Sequence, residues 1–358
     1  HQDHHILLGL LLLLMVDGLV GNFDVMTRKI KFGIIGCSRI SDSSTIPAIL
    51  ESPYAELEFV GSRSISKANK FATKFGCKKY GSYEEVLNDE KVEAVYISVP
   101  IALHEKWSIL AARSRKHILC EKSSTDSYES AKRMVSESKR NNVKLMEGFM
   151  FRFHPSIQKV SELIKKKKIG NVFSFQSRYG FPAISKKDIR YQKDLGGGVL
   201  NDAGCYPICA SRIIFKEEPK TVNCNLIFDK KYKIDEFASI LLTFNDGKVA
   251  EMNVGYGMFY QSIYEIWVSK GILSLSRAYN IPSNMSASLK INSDKNIEMN
   301  IKPVNHFKLM IDNFSKEIQG IKKYSFNFEE DLLKQARVIE AARKSNIEKR
   351  RINISEIV

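Results

Sequence analysis

Between Lys29 and Gly148, short apolar runs alternate with longer segments of helical character. The apolar runs include IKFGIIG, ELEFVGSR, VEAVYISVP, HILCEK and VKLMEGF, and the segments between them include KANKFATKFG, HEKWSILAARS and SYESAKRMVSESKRNN. Short buried strands joined by helices of roughly ten to fifteen residues form a parallel sheet with helices on both faces. The sequence therefore predicts a doubly wound α/β domain that ends near Gly148.

The rest of the chain has longer strands with more polar and aromatic residues. The helix-like segment SIQKVSELIKKKK precedes NVFSFQSRYGF, TVNCNLIFD, EFASILLTFNDGKVAEMNVGYG and SIYEIWVSKGILSLS. NDG is a hairpin-turn signal, so we expect an open, mostly antiparallel sheet with a few helices, an α+β domain. EEDLLKQARVIEAARKS has the periodicity and basic end of a closing helix. We predict domains over residues 26–148 and 149–325, and a closing helix and tail over 326–358.

The first 25 residues, HQDHHILLGLLLLLMVDGLVGNFDV, match neither domain. Their uninterrupted apolar run from Ile6 to Val16 is shorter than the about 20 residues that a spanning helix needs. No Lys or Arg precedes the run, as one would in a secretory signal. We interpret residues 1–25 as a leader outside the native fold, with Met26 as the natural start. A genuine anchor or signal is the alternative.

Charge and cysteine usage narrow the possible partners. The 358-residue chain has a net charge of +15, but its lysines are spread out, with one dense run at 165–168. No nucleic-acid recognition motif accompanies them, so we expect a solvated basic surface and no nucleic-acid partner. The six cysteines form no CxxC pair and no His/Cys ligand spacing. Reduced thiols in the cytoplasm and the lack of a metal site are therefore expected.

The turn after the first strand is the expected cofactor site, because a dinucleotide pyrophosphate binds the amides and the positive dipole at the helix start there. Gly36 supplies the tight turn, but Ser38 and Ser41 replace the later small residues of the glycine fingerprint. A serine hydroxyl can itself bond a phosphate. We predict that Gly36, Ser38, Arg39 and Ile40 contact the cofactor.

The end of the second strand indicates which dinucleotide binds. An acid there usually holds the ribose of NAD, whereas an arginine accommodates the 2′-phosphate of NADP. ELEFV leads into Gly61, Ser62 and Arg63, with no acid after Glu58. The sequence therefore favours NADP(H) over NAD(H), with Ser62 and Arg63 on the phosphate.

Three further motifs carry a family resemblance. Val99, Pro100 and His104 form a VP-x-x-x-H stretch, HILCEKS ends a strand in Glu121 and Lys122, and GGG-x-x-x-D-x-G-x-Y starts at residue 196. Together they resemble the Gfo/Idh/MocA (glucose-fructose oxidoreductase / inositol dehydrogenase) family, from about Lys29 to Ser345. FGFP, IRY, DAGCYP and YEIWVSKG most resemble its nucleotide-sugar 3-ketoreductases, with aldose and dihydrodiol dehydrogenases close by.

The resemblance implies a Rossmann domain, catalytic roles for Lys122, Asp202 and Tyr206, and a place beside the nicotinamide for Glu121. It also makes Pro100 and His104 cofactor-side residues. Ser123 replaces the family's proline. A cis peptide costs about 2.5–4 kcal/mol when proline does not follow, so the cis bond usual at this turn is not expected.

The chemistry independently favours a lysine and a tyrosine. Hydride transfer at an alcohol carbon requires a proton to move to or from the oxygen. A phenol is a poor base at neutral pH unless a nearby cation stabilises the phenolate. Tyr206 would be the acid for reduction, with Lys122 polarising the carbonyl. Asp202, one helical turn earlier, would orient the lysine or the substrate hydroxyls, and Pro207 suggests that the helix starts or kinks there.

The leading hypothesis is an NADP(H)-dependent oxidoreductase that reduces a keto group on a nucleotide-linked hexose. Arg190, with Lys186 and Lys187, would bind the substrate, and the glycines at 196–198 would let the backbone lie against the cofactor or sugar. An aldose or dihydrodiol dehydrogenase is the alternative. A non-catalytic dinucleotide-binding regulator and a charge-driven nucleic-acid binder belong to other classes. Resemblance also implies a homo-dimer or homo-tetramer formed through the open sheet face. Trp107 and Trp267 are predicted to be core residues.

Overall fold

The computed structural model describes residues 28–166, 169–322 and 326–358. The predicted leader over residues 1–25 and the proposed start at Met26 lie outside the described residues, as does part of the lysine run at 165–168. The described chain forms two sheets, one of six strands and one of nine.

The first sheet is parallel throughout and has the strand order β3-β2-β1-β4-β5-β6. Its strands are β1 Ile30–Ile35, β2 Ala55–Gly61, β3 Lys79–Gly81, β4 Ala94–Ile97, β5 His117–Cys120 and β6 Leu145–Glu147. Its helices are α1 Ile46–Glu51, α2 Ile65–Phe75, α3 Tyr83–Asn88, α4 His104–Arg113 and α5 Tyr128–Arg140. This order reverses direction at β1 and β4, where dinucleotides bind in such sheets. The predicted doubly wound domain is confirmed.

The second sheet has the order β14-β13-β12-β11-β7-β10-β9-β8-β15 and is antiparallel except for the β7–β10 pair. Its strands are β7 Val172–Phe181, β8 Thr221–Phe228, β9 Asp235–Thr243, β10 Val249–Tyr256, β11 Gln261–Val268, β12 Gly271–Ser276, β13 Ala287–Asn292, β14 Ile297–Ile301 and β15 Ile352–Asn353. The helices of this half are α6 Pro155–Lys165, α7 Cys205–Phe215, α8 His306–Ile318 and α9 Phe328–Glu348. The predicted NDG turn joins β9 to β10.

Helix α9 ties the two sheets together. Glu329 accepts a hydrogen bond from the backbone N–H of Leu145 at the end of the first sheet (2.9 Å), and Gln335 donates to the carbonyl of Cys205 in α7 (2.8 Å). Asp331 forms ion pairs with Arg212, at 3.1 Å, and with Arg152. The helix therefore fixes the position of α7 relative to the first domain.

The two tryptophans lie in different environments. Trp107 is buried, with its ring 4.8 Å from that of Tyr83. Trp267 is 61% exposed, so its predicted core position is wrong. Strand β11 alternates its side chains, and Trp267 points to the open face opposite its buried neighbour Ile266. Exposed Phe173 and Ile272 lie on strands adjacent to Trp267.

Within the described ranges, no helix has both the length and the apolar character to cross a membrane.

Candidate active site

Both domains line one cleft of about 680 Å³. The first domain contributes the turn after β1 and the ends of β4 and β5, whereas the second contributes β7, the glycine run and the start of α7. The predicted site residues that line the cleft are Ser38, Arg39, Ile40, Pro100, His104, Glu121, Lys122, Arg190, Asp202 and Tyr206. The structure therefore brings the predicted catalytic residues and most of the predicted cofactor residues together.

The turn after β1 has the geometry that a pyrophosphate requires. Gly36 has φ +115°, and a Cβ there would lie 3.0 Å from the backbone of Ser98. The hydroxyls of Ser41 and Ser98 both donate to the Gly36 carbonyl, at 2.8 and 2.9 Å, and Ser38 bonds to both hydroxyls. These serines therefore hold the turn in shape, so their hydroxyls are not free phosphate donors as the sequence suggested.

The helix after this turn begins with a π-helical segment, Ser41–Thr45, that leads into α1. Pro47 lies in the first turn of α1, directly after this π-helical segment. Ser38, Arg39 and Ile40, at this helix start, line the cleft. A dinucleotide pyrophosphate fits here, with its backbone approach made possible by Gly36.

The end of β2 carries a basic loop. Ser62 is buried and accepts a hydrogen bond from the N–H of Ser64, which caps α2. Arg63 is exposed, and α2 has no acid in its first turn, where Lys67 lies instead. Glu58, the last acid of the strand, is paired with Lys79 at 2.8 Å. Ser62 and Arg63 lie beside the Gly36 turn rather than in the cleft wall, and their phosphate role stays a prediction.

At the end of β5, Glu121 and Lys122 point into the cleft. Tyr96 donates a hydrogen bond to Glu121 at 2.5 Å, and burial raises the pKa of that carboxyl. The Lys122–Ser123 peptide bond is cis. The expectation drawn from the absence of a proline at 123 is therefore wrong. The Ser123 hydroxyl donates to the carbonyl of Asn201 (3.0 Å), which links this turn to the second domain.

Lys122 is bound by Asp202. Its ammonium donates to the Asp202 carbonyl at 2.6 Å and to Oδ1 of the same residue at 3.1 Å. Arg190 holds the other carboxylate oxygen at 2.7 Å, and Tyr256 donates to it at 3.4 Å. Burial alone would lower the pKa of Lys122, but Tyr206 and Asp202 raise it well above its usual value. Asp202 thus orients the lysine, the first of the two roles predicted for it.

The carboxylate of Asp202 is itself kept ionised. Burial would raise its pKa, but Lys122 and Arg190 together lower it. Arg190 also pairs with Asp188 at 3.3 Å. Because both of its partners are carboxylates, Arg190 is committed to the protein, and its predicted substrate contact stays a prediction.

Tyr206 lies below the ammonium of Lys122, whose Nζ is 4.7 Å from the ring centre. Burial raises the pKa of the Tyr206 phenol, and Lys122 opposes this rise. The hydroxyl makes one weak contact, 3.8 Å to the sulfur of Met150, and therefore remains available to a ligand. Asp202 lies in a π-helical segment, Leu200–Gly204, that precedes α7, and Pro207 sits in the first turn of α7.

The three consecutive glycines meet protein atoms rather than empty space. A Cβ on Gly196 would lie 2.8 Å from Ile101, and one on Gly197 would lie 2.5 Å from the carbonyl of Arg190. Gly198, at φ +119°, leaves no room beside Asp235. All three line the cleft. The glycines are needed because the loop folds against its own protein, which the sequence did not reveal.

His104 is a structural link rather than an acid or base. It is buried, with Nε2 2.7 Å from the carbonyl of Val99 and Nδ1 3.1 Å from the carbonyl of Ser123. Burial lowers its pKa, although both carbonyls oppose this. His104 therefore ties the end of β4 to the turn that carries Lys122.

Lys186 forms ion pairs with two carboxylates of the protein. Its ammonium pairs with Asp229 at 2.9 Å and Glu236 at 2.5 Å, and it lies 4.0 Å from the ring centre of Tyr191. Its predicted contact with a substrate diphosphate stays a prediction. Lys187 is exposed on the same loop.

Two site residues were missed from the sequence. Tyr96 holds Glu121, and Tyr179 of β7 lines the cleft next to Tyr206. Both lie inside apolar strands, where a tyrosine is usually packing. Tyr179 lines the cleft, whereas Tyr96 is fully buried behind Glu121.

A doubly wound domain with a nucleotide-binding turn, joined to a second domain that contributes a lysine-paired tyrosine, defines a class of nicotinamide-dependent oxidoreductases. Residues 30–149 match the oxidoreductase family with NAD-binding Rossmann fold, and residues 157–274 match the GFO/IDH/MocA C-terminal domain. The chain therefore belongs to the Gfo/Idh/MocA family of oxidoreductases.

Several characterised proteins resemble the chain over most of its length. A dTDP-3,4-didehydro-2,6-dideoxy-alpha-D-glucose 3-reductase from Actinomadura kijaniata is 30% identical over 88% of this chain and 95% of the relative. An NADP(+) D-xylose 1-dehydrogenase from Haloferax volcanii is 30% identical over 80% of this chain and 89% of the relative. A solved 3-ketoreductase from Actinomadura kijaniata, in complex with NADP and TDP-benzene, has a TM-score of 0.85 and 29% identity, covering 89% of this chain and 98% of that one.

Proposed function

We propose that the protein uses NADPH to reduce a keto group on a nucleotide-linked hexose. The observation that carries this proposal is the position of the Lys122 ammonium, 4.7 Å from the centre of the Tyr206 ring, in a cleft that also opens onto the dinucleotide turn. The relatives support the substrate class, because the similar 3-ketoreductase was solved with NADP and a TDP ligand.

The chain's own residues would supply the proton and stabilise the negative charge that forms on the phenol. The nicotinamide cofactor, when bound, supplies the hydride. Tyr206 donates the proton to the carbonyl oxygen, and Lys122 stabilises the resulting phenolate and polarises the carbonyl. Asp202 and Arg190 keep the ammonium in place and charged. Lys122 and Tyr206 are both largely buried, which limits the access of water to this centre.

The cofactor is NADP(H). Gly36 and the helix start at Ser38, Arg39 and Ile40 would bind the pyrophosphate, while Ser62 and Arg63 would receive the 2′-phosphate. Pro100, His104 and Glu121 would lie along the nicotinamide side. The lack of an acid at the end of β2 and in the first turn of α2 supports this preference.

Variants of the similar ketoreductase support the catalytic assignment. Solved forms of that protein carry a tyrosine-to-phenylalanine or a lysine-to-alanine replacement. The spacing between those two positions equals the spacing between Lys122 and Tyr206. We therefore assign catalytic roles to Lys122 and Tyr206, with Asp202 as the residue that positions the lysine.

An aldose dehydrogenase is the second candidate, favoured by the resemblance to the D-xylose 1-dehydrogenase. The same lysine and tyrosine would serve oxidation, with Tyr206 as the base. A steady-state assay separates the two candidates: NADPH oxidation with nucleotide-linked keto-hexoses against NADP⁺ reduction with free aldoses. Turnover of free sugars alone would remove the ketoreductase proposal. NADPH binding without any turnover, and unaffected by Lys122→Ala, would favour the regulator.

The assembly, the cellular location and the domain division also belong to the proposal. We infer a homo-oligomer that covers the exposed Trp267, Phe173 and Ile272 of the open sheet face, since such patches usually mark interfaces. Sedimentation of the Trp267→Glu variant as a smaller species than the parent would support it. All six cysteines are free, which suits the reducing cytoplasm. The domains are residues 26–148 and 149–325, with 326–358 closing the structure.

A further inference from the structure

Tyr179 is a second phenol in the cleft, beside Tyr206. It lies on β7, the central strand of the nine-stranded sheet, where pairing with β10 and β11 fixes its backbone. Its ring meets the Tyr206 ring edge to face, with centres 5.4 Å apart and planes at 85°. It also packs against Tyr279 at 5.2 Å. The ring is therefore held in one orientation by contacts on two sides.

The hydroxyl of Tyr179 differs from those of three other buried tyrosines. Buried tyrosine hydroxyls usually find a hydrogen-bond partner. Tyr96 bonds Glu121, Tyr256 bonds Asp202, and Tyr279 bonds Ser177 at 2.6 Å. Within the described part of the chain, the Tyr179 hydroxyl has no hydrogen-bond partner, and the residue lines the cleft.

The charge of Lys122 reaches both phenols. Burial raises the pKa of Tyr179, and Lys122 opposes this rise, as it does for Tyr206. One ammonium therefore favours the phenolate of either tyrosine. Both residues line the same cleft, and the Tyr206 hydroxyl has only its weak contact with the sulfur of Met150.

We propose that Tyr179 is a second catalytic phenol, which hydrogen-bonds the reacting oxygen together with Tyr206 and delivers the proton when Tyr206 cannot. In reduction, the carbonyl carbon gains the hydride and its oxygen gains one proton. The phenol that gives this proton becomes a phenolate, which Lys122 stabilises and water reprotonates. This inference rests on the proposed oxidoreductase function and adds a residue to its site.

The test is a double-mutant cycle with a matched control. Tyr179→Phe and Tyr206→Phe each remove one hydroxyl and keep the ring. The control is Tyr279→Phe, because Tyr279 touches the Tyr206 ring at 5.6 Å but bonds Ser177 and does not line the cleft. Each is assayed alone and combined with Tyr206→Phe, using whichever sugar class the parent enzyme turns over. NADPH binding is measured for every variant.

We expect Tyr206→Phe to keep a residual kcat, about 100-fold below the parent, since a general acid contributes at least that factor. Adding Tyr179→Phe should remove most of the remainder, a further loss of about 10-fold or more. Adding Tyr279→Phe should leave the remainder unchanged, and NADPH binding should be equal throughout.

Three results would overturn the proposal. Tyr206→Phe could have no residual activity, its residual activity could survive Tyr179→Phe, or Tyr279→Phe could cost as much as Tyr179→Phe. A parent protein that turns over neither nucleotide-linked nor free sugars would instead contradict the proposed function, so the two failures are distinguishable.

Discussion

Replacing Lys122 with methionine isolates the charge at the centre of the site. Methionine has a similar length and packs well, so the contact of the side chain with the Tyr206 ring is kept. Asp202 loses the ammonium but retains Arg190 at 2.7 Å, and its carboxylate stays paired. The variant should therefore fold, with a stability loss of about 1–3 kcal/mol from the unmade hydrogen bonds.

The expected effect on turnover follows from the geometry. Nζ lies 4.7 Å from the centre of the Tyr206 ring. A unit charge pair separated by about 5 Å interacts by about 3.3 kcal/mol at an effective dielectric constant of about 20. The Asp202 carboxylate, 3.1 Å from Nζ, cancels part of that attraction. A net loss of about 2–3 kcal/mol in transition-state stabilisation corresponds to a kcat about 30-fold to 150-fold lower.

Loss of NADPH absorbance under saturating substrate measures this change, while cofactor fluorescence measures binding. Lys132→Met is the matched control, because Lys132 lies 5.4 Å from the Tyr128 ring and pairs with Glu129 outside the cleft. It should leave kcat unchanged. A Lys122→Met enzyme with a kcat within about threefold of the parent, and normal NADPH binding, would refute the charge argument.

Three other perturbations test separate features. Arg63→Ala should raise the KM for NADPH about 10-fold and leave the KM for NADH unchanged, since a hydrogen bond to a charged group contributes about 1.5–3 kcal/mol. Equal effects on the KM of both cofactors would contradict the assignment of Arg63 to the 2′-phosphate. Burial raises the pKa of Glu147 to about 7, so the native state binds more protons than the unfolded chain between about pH 4.5 and 7. In urea unfolding, Glu147→Gln should therefore gain stability relative to the parent as pH rises through that window. A difference in stability that does not change with pH would exclude this coupling. Burial lowers the pKa of His306 to about 3 and that of His154 to about 4, so the unfolded chain binds more protons than the native state below about pH 6.5. The free energy of unfolding of the parent should therefore fall as pH falls from about 6.5 to 4. In His306→Phe this free energy should change less steeply with pH.

The fold could be predicted because its signals are local. Apolar runs separated by helical segments specify a doubly wound sheet whatever their exact boundaries, and the strand order places Gly36 at the switch point. The lysine and tyrosine were found because their motifs are short and lie at strand and helix ends. Arg190 was predicted to contact the substrate. Its ion pairs with Asp188 and Asp202 could not be predicted, because no sequence motif indicates them.

Other features depend on which atoms face each other across the fold. Ser38 was predicted to bond phosphate through its hydroxyl. In the structure that hydroxyl donates a hydrogen bond to the hydroxyl of Ser98, sixty residues later. Trp267 was assigned to the core by its residue type, yet the register of β11 turns it outward. Residue type gives the preference of a side chain, whereas strand register decides its surroundings.

The sequence by itself determined the two sheets, the dinucleotide turn and the motifs that contain Lys122 and Tyr206, because each of these features depends on residues near one another along the chain. Only the tertiary structure decided that Asp202 and Arg190 hold the lysine, that the glycines fit against Ile101 and Asp235, and that Tyr179 stands beside Tyr206. Some of these contacts lie within the second domain and others cross the cleft between the domains, and such tertiary packing has no periodicity that a sequence can display.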